Sequence, residues 1–100
     1  MLIKIHKATR YVVAVCDSEL IGKKFVDADG IRQIDLTGTF FKGEEKNSEE
    51  IKEFLLDMKL EDASFNIVGK ESCSIAVDIG LVEKEEVMTI ADIPMVLILL

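Results

Sequence analysis

The chain of 100 residues is 49% hydrophobic and 31% charged, the balance of a folded globular domain, and its length allows one core and not two. Its formal net charge is −7, with eight Lys/Arg and nine Asp/Glu in residues 1–50 against four and ten in residues 51–100. That charge repels polyphosphate over most of the surface and excludes indiscriminate nucleic-acid binding, while no apolar run approaches the ~20 residues of a membrane span.

The runs "LIKIH" (2–6) and "YVVAVC" (11–16) are rich in β-branched residues and separated by a short polar segment, which predicts an antiparallel hairpin. Ile3 and Ile5 share one face of the first strand, Lys4 and His6 the other. The second strand is apolar on both faces and is therefore expected in the middle of the sheet. In "CDSELIGKKF", Asp17 or Ser18 can cap a single helical turn that Gly22 ends. "DADG" (27–30) predicts a turn, and "IRQIDL" (31–36) a third strand.

The stretch "TGTFFKGEEKNSEE" (37–50) is the longest irregular segment, polar around Phe40 and Phe41. Asn47 and Glu50 then stand at capping-box spacing, and Ile51, Phe54, Leu55 and Met58 recur at helical spacing, predicting an amphipathic helix. "SFNIVG" (64–69) reads as a strand and "ESCSIAVDI" (71–79) as a short helix stopped by Gly80, with Leu81 placed for a Schellman closure. "VMTI" (87–90) and "MVLILL" (95–100) complete the strands. With two main helices against five or six strands, the simplest arrangement is an α+β two-layer sandwich on a mixed or antiparallel sheet, one compact domain over residues 1–100.

The segments "VVAVCDSELIGKKF", "FFKGEEKNSEEI" and "NIVGKESCSIAVDIGLV", in that order, resemble a small archaeal family known only as a domain of unknown function, number four hundred and twenty-four. The resemblance runs over almost the whole chain and is most specific at "NIVGKES" with the spaced Ala76 and Gly80. It implies a cytosolic protein with a two-layer α/β fold and no assigned activity. It brings no catalytic residue, only the matching positions Asp17, Gly22, Gly43, Asn66, Gly69, Ser72 and Gly80.

Chemistry-bearing residues are sparse. His6 is the only histidine, with no cysteine or carboxylate at ligand spacing, so neither a zinc site nor a hydrolase triad can be assembled around it. No catalytic residue, metal site or cofactor is expected. Cys16 and Cys73 lie in apolar runs without CxxC spacing, as buried reduced thiols do, and "MLIKIHKATR" lacks the pattern of a secretory leader; both point to the cytoplasm. "GEEKNSEE" lacks the alternating oxygen ligands of a calcium loop and reads as a solvated lead-in to the helix.

The turn "NIVGKES" admits two readings. The amides of a helix start could bind a phosphate, with Lys70 adding charge and Asn66, Gly69, Ser72, Asp17 and Lys23 completing a ligand site. The pattern GxxxxGK[ST] fails, however, with Ser64 and Glu71 where a glycine and a hydroxyl belong. In the structural reading Ser72 caps the helix, Asn66 ties the turn and Gly69 permits the bend.

Two functions follow. The leading expectation is a non-enzymatic binding module for RNA or a ribonucleoprotein partner, using Lys4, Lys7, Arg10, Lys23, Lys24, Phe40 and Phe41. The alternative is a small-molecule or phosphate-binding protein or enzyme built on residues 66–72. No membrane partner is expected, and an edge position for the C-terminal strand would invite a homodimer.

Overall fold

The computed structural model describes residues 1–99. In chain order it forms β1 (Leu2–Lys7), β2 (Tyr11–Cys16), a 3-10 turn (Ser18–Leu20), β3 (Lys24–Val26), β4 (Gln33–Asp35) and β5 (Glu44–Glu45). There follow α1 (Ser48–Leu60), β6 (Ser64–Val68), α2 (Lys70–Asp78), a second 3-10 turn (Lys84–Glu86), β7 (Met88–Ile90) and β8 (Ile93–Ile98). Six strands make one mixed sheet in the order β5-β1-β2-β6-β8-β7, and β3 and β4 pair separately. The fold class is α+β.

β1 and β2 form the expected hairpin, with Ile3 opposite Val15 and Ile5 opposite Val13. β2 is apolar on both faces because it lies between β1 and β6, which it meets in parallel. A parallel neighbour cannot be reached by a tight turn; the crossover contains β3, β4, β5 and α1. On one face Ile3, Val13, Val15, Phe65, Ile67 and Val96 pack against Ile51 and Leu55 of α1 and Cys73, Ile75 and Ala76 of α2. On the other, a smaller cluster of Cys16, Val68 and Ile90 is covered by Ile34 and Leu36 from the β3–β4 hairpin.

Local signals end the helices where the sequence places them. Asn47 Oδ1 accepts from the Glu50 amide at 2.9 Å and Glu50 Oε1 accepts from the Asn47 amide at 3.1 Å, a complete capping box. α2 closes in a Schellman motif: Leu81 N–H donates to Ala76 O at 2.9 Å and Gly80 N–H to Val77 O at 3.0 Å, with Gly80 at φ 74°.

Several expectations need correction. The strand expected over residues 31–36 shrinks to Gln33–Asp35 and leaves the main sheet for β3, which sequence patterning does not reveal. "KFV" is too short to show a period, and Ile31 stays 82% exposed beyond the ladder. The glutamates at 44 and 45, read as a solvated run, are exposed but also form β5, a strand not expected from the sequence, and pair with Ile3 and Leu2. At the first 3-10 turn, neither Asp17 nor Ser18 caps through its side chain. The strand expected over 95–100 begins earlier, at Ile93, and its last residue, Leu100, lies outside the described residues. β8 is not an outer strand, since β6 flanks residues 95–98 and β7 flanks residues 93–95.

Candidate functional site

Four of the sequence-predicted ligand residues, Asp17, Gly69, Lys70 and Ser72, meet at the start of α2. Parallel pairing of β2 and β6 brings their C-terminal ends side by side, Cys16 opposite Val68. The next residue of β2's chain, Asp17, is 2% exposed. Its carboxylate accepts from the Glu71 amide at 3.0 Å, the Ser72 amide at 2.9 Å and the Ser72 hydroxyl at 2.7 Å. An anion is favoured at a helix N-terminus by the unpaired amides and the helix dipole. Here that anion is a side chain of the protein itself.

Gly69, at φ 113°, is the N-cap residue and has no side chain to cap with. A Cβ there would lie 2.3 Å from Asp17 Cγ, so the glycine is needed both for its backbone angle and for the space the carboxylate occupies. Ser72 does not cap α2 in its own right; its hydroxyl donates to Asp17, which caps from a different element. Asn66 sits within β6, opposite Ala14 and Leu97, three residues before the glycine. Lys23 is exposed at the entry to β3.

A second group of predicted residues meets on the other side of β1. Lys4 and His6 project from the face away from the helices, and residues 37–43 cross over them. Lys4 Nζ donates to Thr39 O at 3.5 Å, and His6 Nε2 lies 2.9 Å from Phe40 O. A carbonyl can only accept, so Nε2 carries the proton. The His6 and Phe40 rings stack at 4.6 Å with 12° between planes, and Phe41 meets Phe40 edge-on at 5.1 Å. Phe41 turns inward onto the Leu36 cluster, while Phe40 remains 41% exposed.

The remaining basic candidates are not all part of this patch. Lys7 and Arg10 are exposed at the β1–β2 turn, and Lys24 lies in β3 opposite Asp35. Thr37 holds the Asp35 carboxyl below the usual range by its hydroxyl and amide, with a smaller contribution from Lys24. His6 was absent from the predicted contact surface. Its alternation with Lys4 on β1 was the available signal, but the ring that stacks on it arrives from 34 residues away.

Both cysteines are free and buried. Burial, then the adjacent Asp17 carboxylate, pushes the Cys16 thiol up to about 11; the same two causes, in that order, push Cys73 up to about 12. Neither is a thiolate nucleophile near neutral pH. Among the described residues, no three His, Cys, Asp or Glu side chains are placed to hold a metal ion, and no helix is long and apolar enough to cross a membrane.

Among proteins of curated function none matches the chain. A crystal structure of an uncharacterized conserved protein from Methanopyrus kandleri is similar in fold, with a TM-score of 0.85 at 23% identity over 97% of this chain and 88% of that one. The family model described as "Protein of unknown function (DUF424)" matches residues 6–100, and the chain therefore belongs to that family.

Proposed function

We propose that this protein is a cytoplasmic, non-enzymatic binding module whose contact face is the outer side of β1 with the loop at Phe40, and whose partner is RNA or a ribonucleoprotein. One observation carries the reading: a half-exposed aromatic ring, Phe40, is held flat on His6 beside Lys4 on an otherwise acidic chain. Aromatic rings displayed on a sheet stack on unpaired bases, and neighbouring lysines neutralise the phosphates between them. The stack fixes the ring before a partner arrives, so little side-chain entropy is lost on contact. The net charge of −7 confines attraction to this local patch and favours a selected RNA over bulk nucleic acid.

The other reading, a phosphate or small molecule at residues 66–72, meets donors that Asp17 already occupies. A ligand there would have to displace a buried carboxylate. A thermal shift on adding inorganic phosphate or a nucleotide would favour that reading over ours.

The test is filter binding to RNA carrying unpaired loops at graded salt. The affinity should fall with salt, Phe40→Ala should weaken it about fivefold or more, as stacking of ~1 kcal/mol or more per base requires, and Lys4→Glu should flatten the salt slope. Binding at background level at every salt concentration would remove the RNA reading.

A further inference from the structure

One edge of the main sheet is covered by its own chain only in part. β5 pairs with β1 at Leu2 and Ile3 and stops there. Just before them, Lys46 N–H donates to Met1 O at 2.8 Å and the Met1 amine donates to Lys46 O at 3.3 Å. In an antiparallel ladder the residues that exchange both bonds recur at every second position. Ile3, Ile5 and Lys7 therefore aim their N–H and C=O groups the same way as Met1. The chain preceding β5 leaves this edge at Gly43 for the other face, where the Thr39 and Phe40 carbonyls meet Lys4 and His6. Ile5 and Lys7 thus present main-chain donors and acceptors outward with no strand beside them.

A groove of about 470 Å³ runs along this edge. Its apolar lining is Ile3, Ile5 and Phe54, and its charged lining is Lys4, Lys42 and Lys46 against one carboxylate, Glu44. Lys46 is paired with Glu44 at 3.4 Å and with Glu50 at 4.0 Å, and its ammonium stands 6.0 Å above the Phe54 ring. Among the described residues Lys42 has no carboxylate partner.

We propose that this edge takes up an extended, acidic segment of a partner protein as an added strand. Main-chain groups of Ile5 and Lys7 would supply the ladder, the mode by which sheet edges capture peptides. An added strand sends alternate side chains to opposite faces. Apolar ones would cover Ile5 and Phe54 on the helix side, and acidic ones would meet Lys4 on the other. Lysines on an edge oppose pairing with a like-charged edge, so a second copy placed edge to edge would set lysine against lysine. This inference goes beyond the RNA-contact reading and does not depend on it.

The experiment uses a fluorescein-labelled octapeptide of alternating Glu and Val, a Lys-Val peptide of the same pattern, and the intact protein. Fluorescence anisotropy should show binding of the first and not the second, and the Ile5 and Lys7 amide signals should shift and exchange more slowly on its addition. Ile5→Pro removes an outward N–H that no neighbouring strand uses and should weaken binding about tenfold or more, the loss of one main-chain bond and the close approach it allows. Lys42→Glu, outside β1, should weaken it as well and keeps the test decisive if the proline variant does not fold. Phe40→Ala should leave it unchanged, which separates this result from the RNA assay. Equal binding of both peptides, no binding of the Glu-Val peptide, or indifference to both variants would overturn the proposal. So would a concentration-dependent dimer lost in Ile5→Pro, which would place a second copy at the edge.

Discussion

Replacing Asp17 tests the junction on which the packing of α2 depends. Its carboxylate serves the Glu71 amide, the Ser72 amide and the Ser72 hydroxyl. In Asp17→Ala the Glu71 amide, on an exposed residue, can turn to water, and the Ser72 hydroxyl can rotate to another acceptor. The Ser72 amide, on a residue 0% exposed, has neither recourse. An unsatisfied buried donor costs ~1–3 kcal/mol, and losing a charge from a helix N-terminus ~1 kcal/mol more. The sum is about 3 kcal/mol, or a fall in Tm of about 15 °C for a domain of this size. Asp17→Asn keeps one acceptor oxygen for the Ser72 amide and hydroxyl but loses the charge and turns an NH2 toward the Glu71 amide. That amide can go to water instead, so the variant should cost less than Asp17→Ala. Urea unfolding with linear extrapolation measures both. Because Ser72 acts through Asp17, Ser72→Ala should cost less in the Asp17→Ala background than alone. A loss below about 1 kcal/mol in Asp17→Ala at unchanged m, or strict additivity with Ser72→Ala, would refute the capping role.

The other expectations concern the same junction and the thiols. Gly69→Ala should cost at least ~3 kcal/mol, since it combines a backbone angle that other residues adopt only under strain with a Cβ driven into Asp17; calorimetry showing a shift of only a few degrees would contradict it. Native Cys16 and Cys73 should resist a charged thiol reagent at pH 8 and react at a rate set by unfolding, whereas rapid labelling would mean the thiols are open to solvent. Their pKa values are raised on folding, so the folded state holds more protons than the unfolded one between pH 9 and about 12. Stability should therefore fall as pH rises through that window. Cys16→Ala/Cys73→Ala should show a shallower fall by urea titration at stepped pH.

Features written into adjacent residues were legible without coordinates. The Asn47–Glu50 box, the Ile51–Leu55 stripe, the β1–β2 hairpin and the Gly80 closure each depend on neighbours within one or two turns of chain, where period and capping chemistry leave a direct trace. β3 and β5 left none. They are too short to show alternation and become strands only because a partner lies beside them: β4 for β3, and β1 for the two glutamates. The same limit applies to the candidate sites. "NIVGKES" pointed correctly to a helix start with a glycine bend, yet what fills that start is a carboxylate 54 residues away in the chain. Sequence alone determined the helices, the central hairpin and the α+β class, because those rest on local periodicity. Only the tertiary structure decided that β2 and β6 run in parallel, that Asp17 occupies the anion position, and that Phe40 stands on His6 beside an open strand edge. Each of these depends on main-chain bonds and side-chain contacts between segments far apart along the chain.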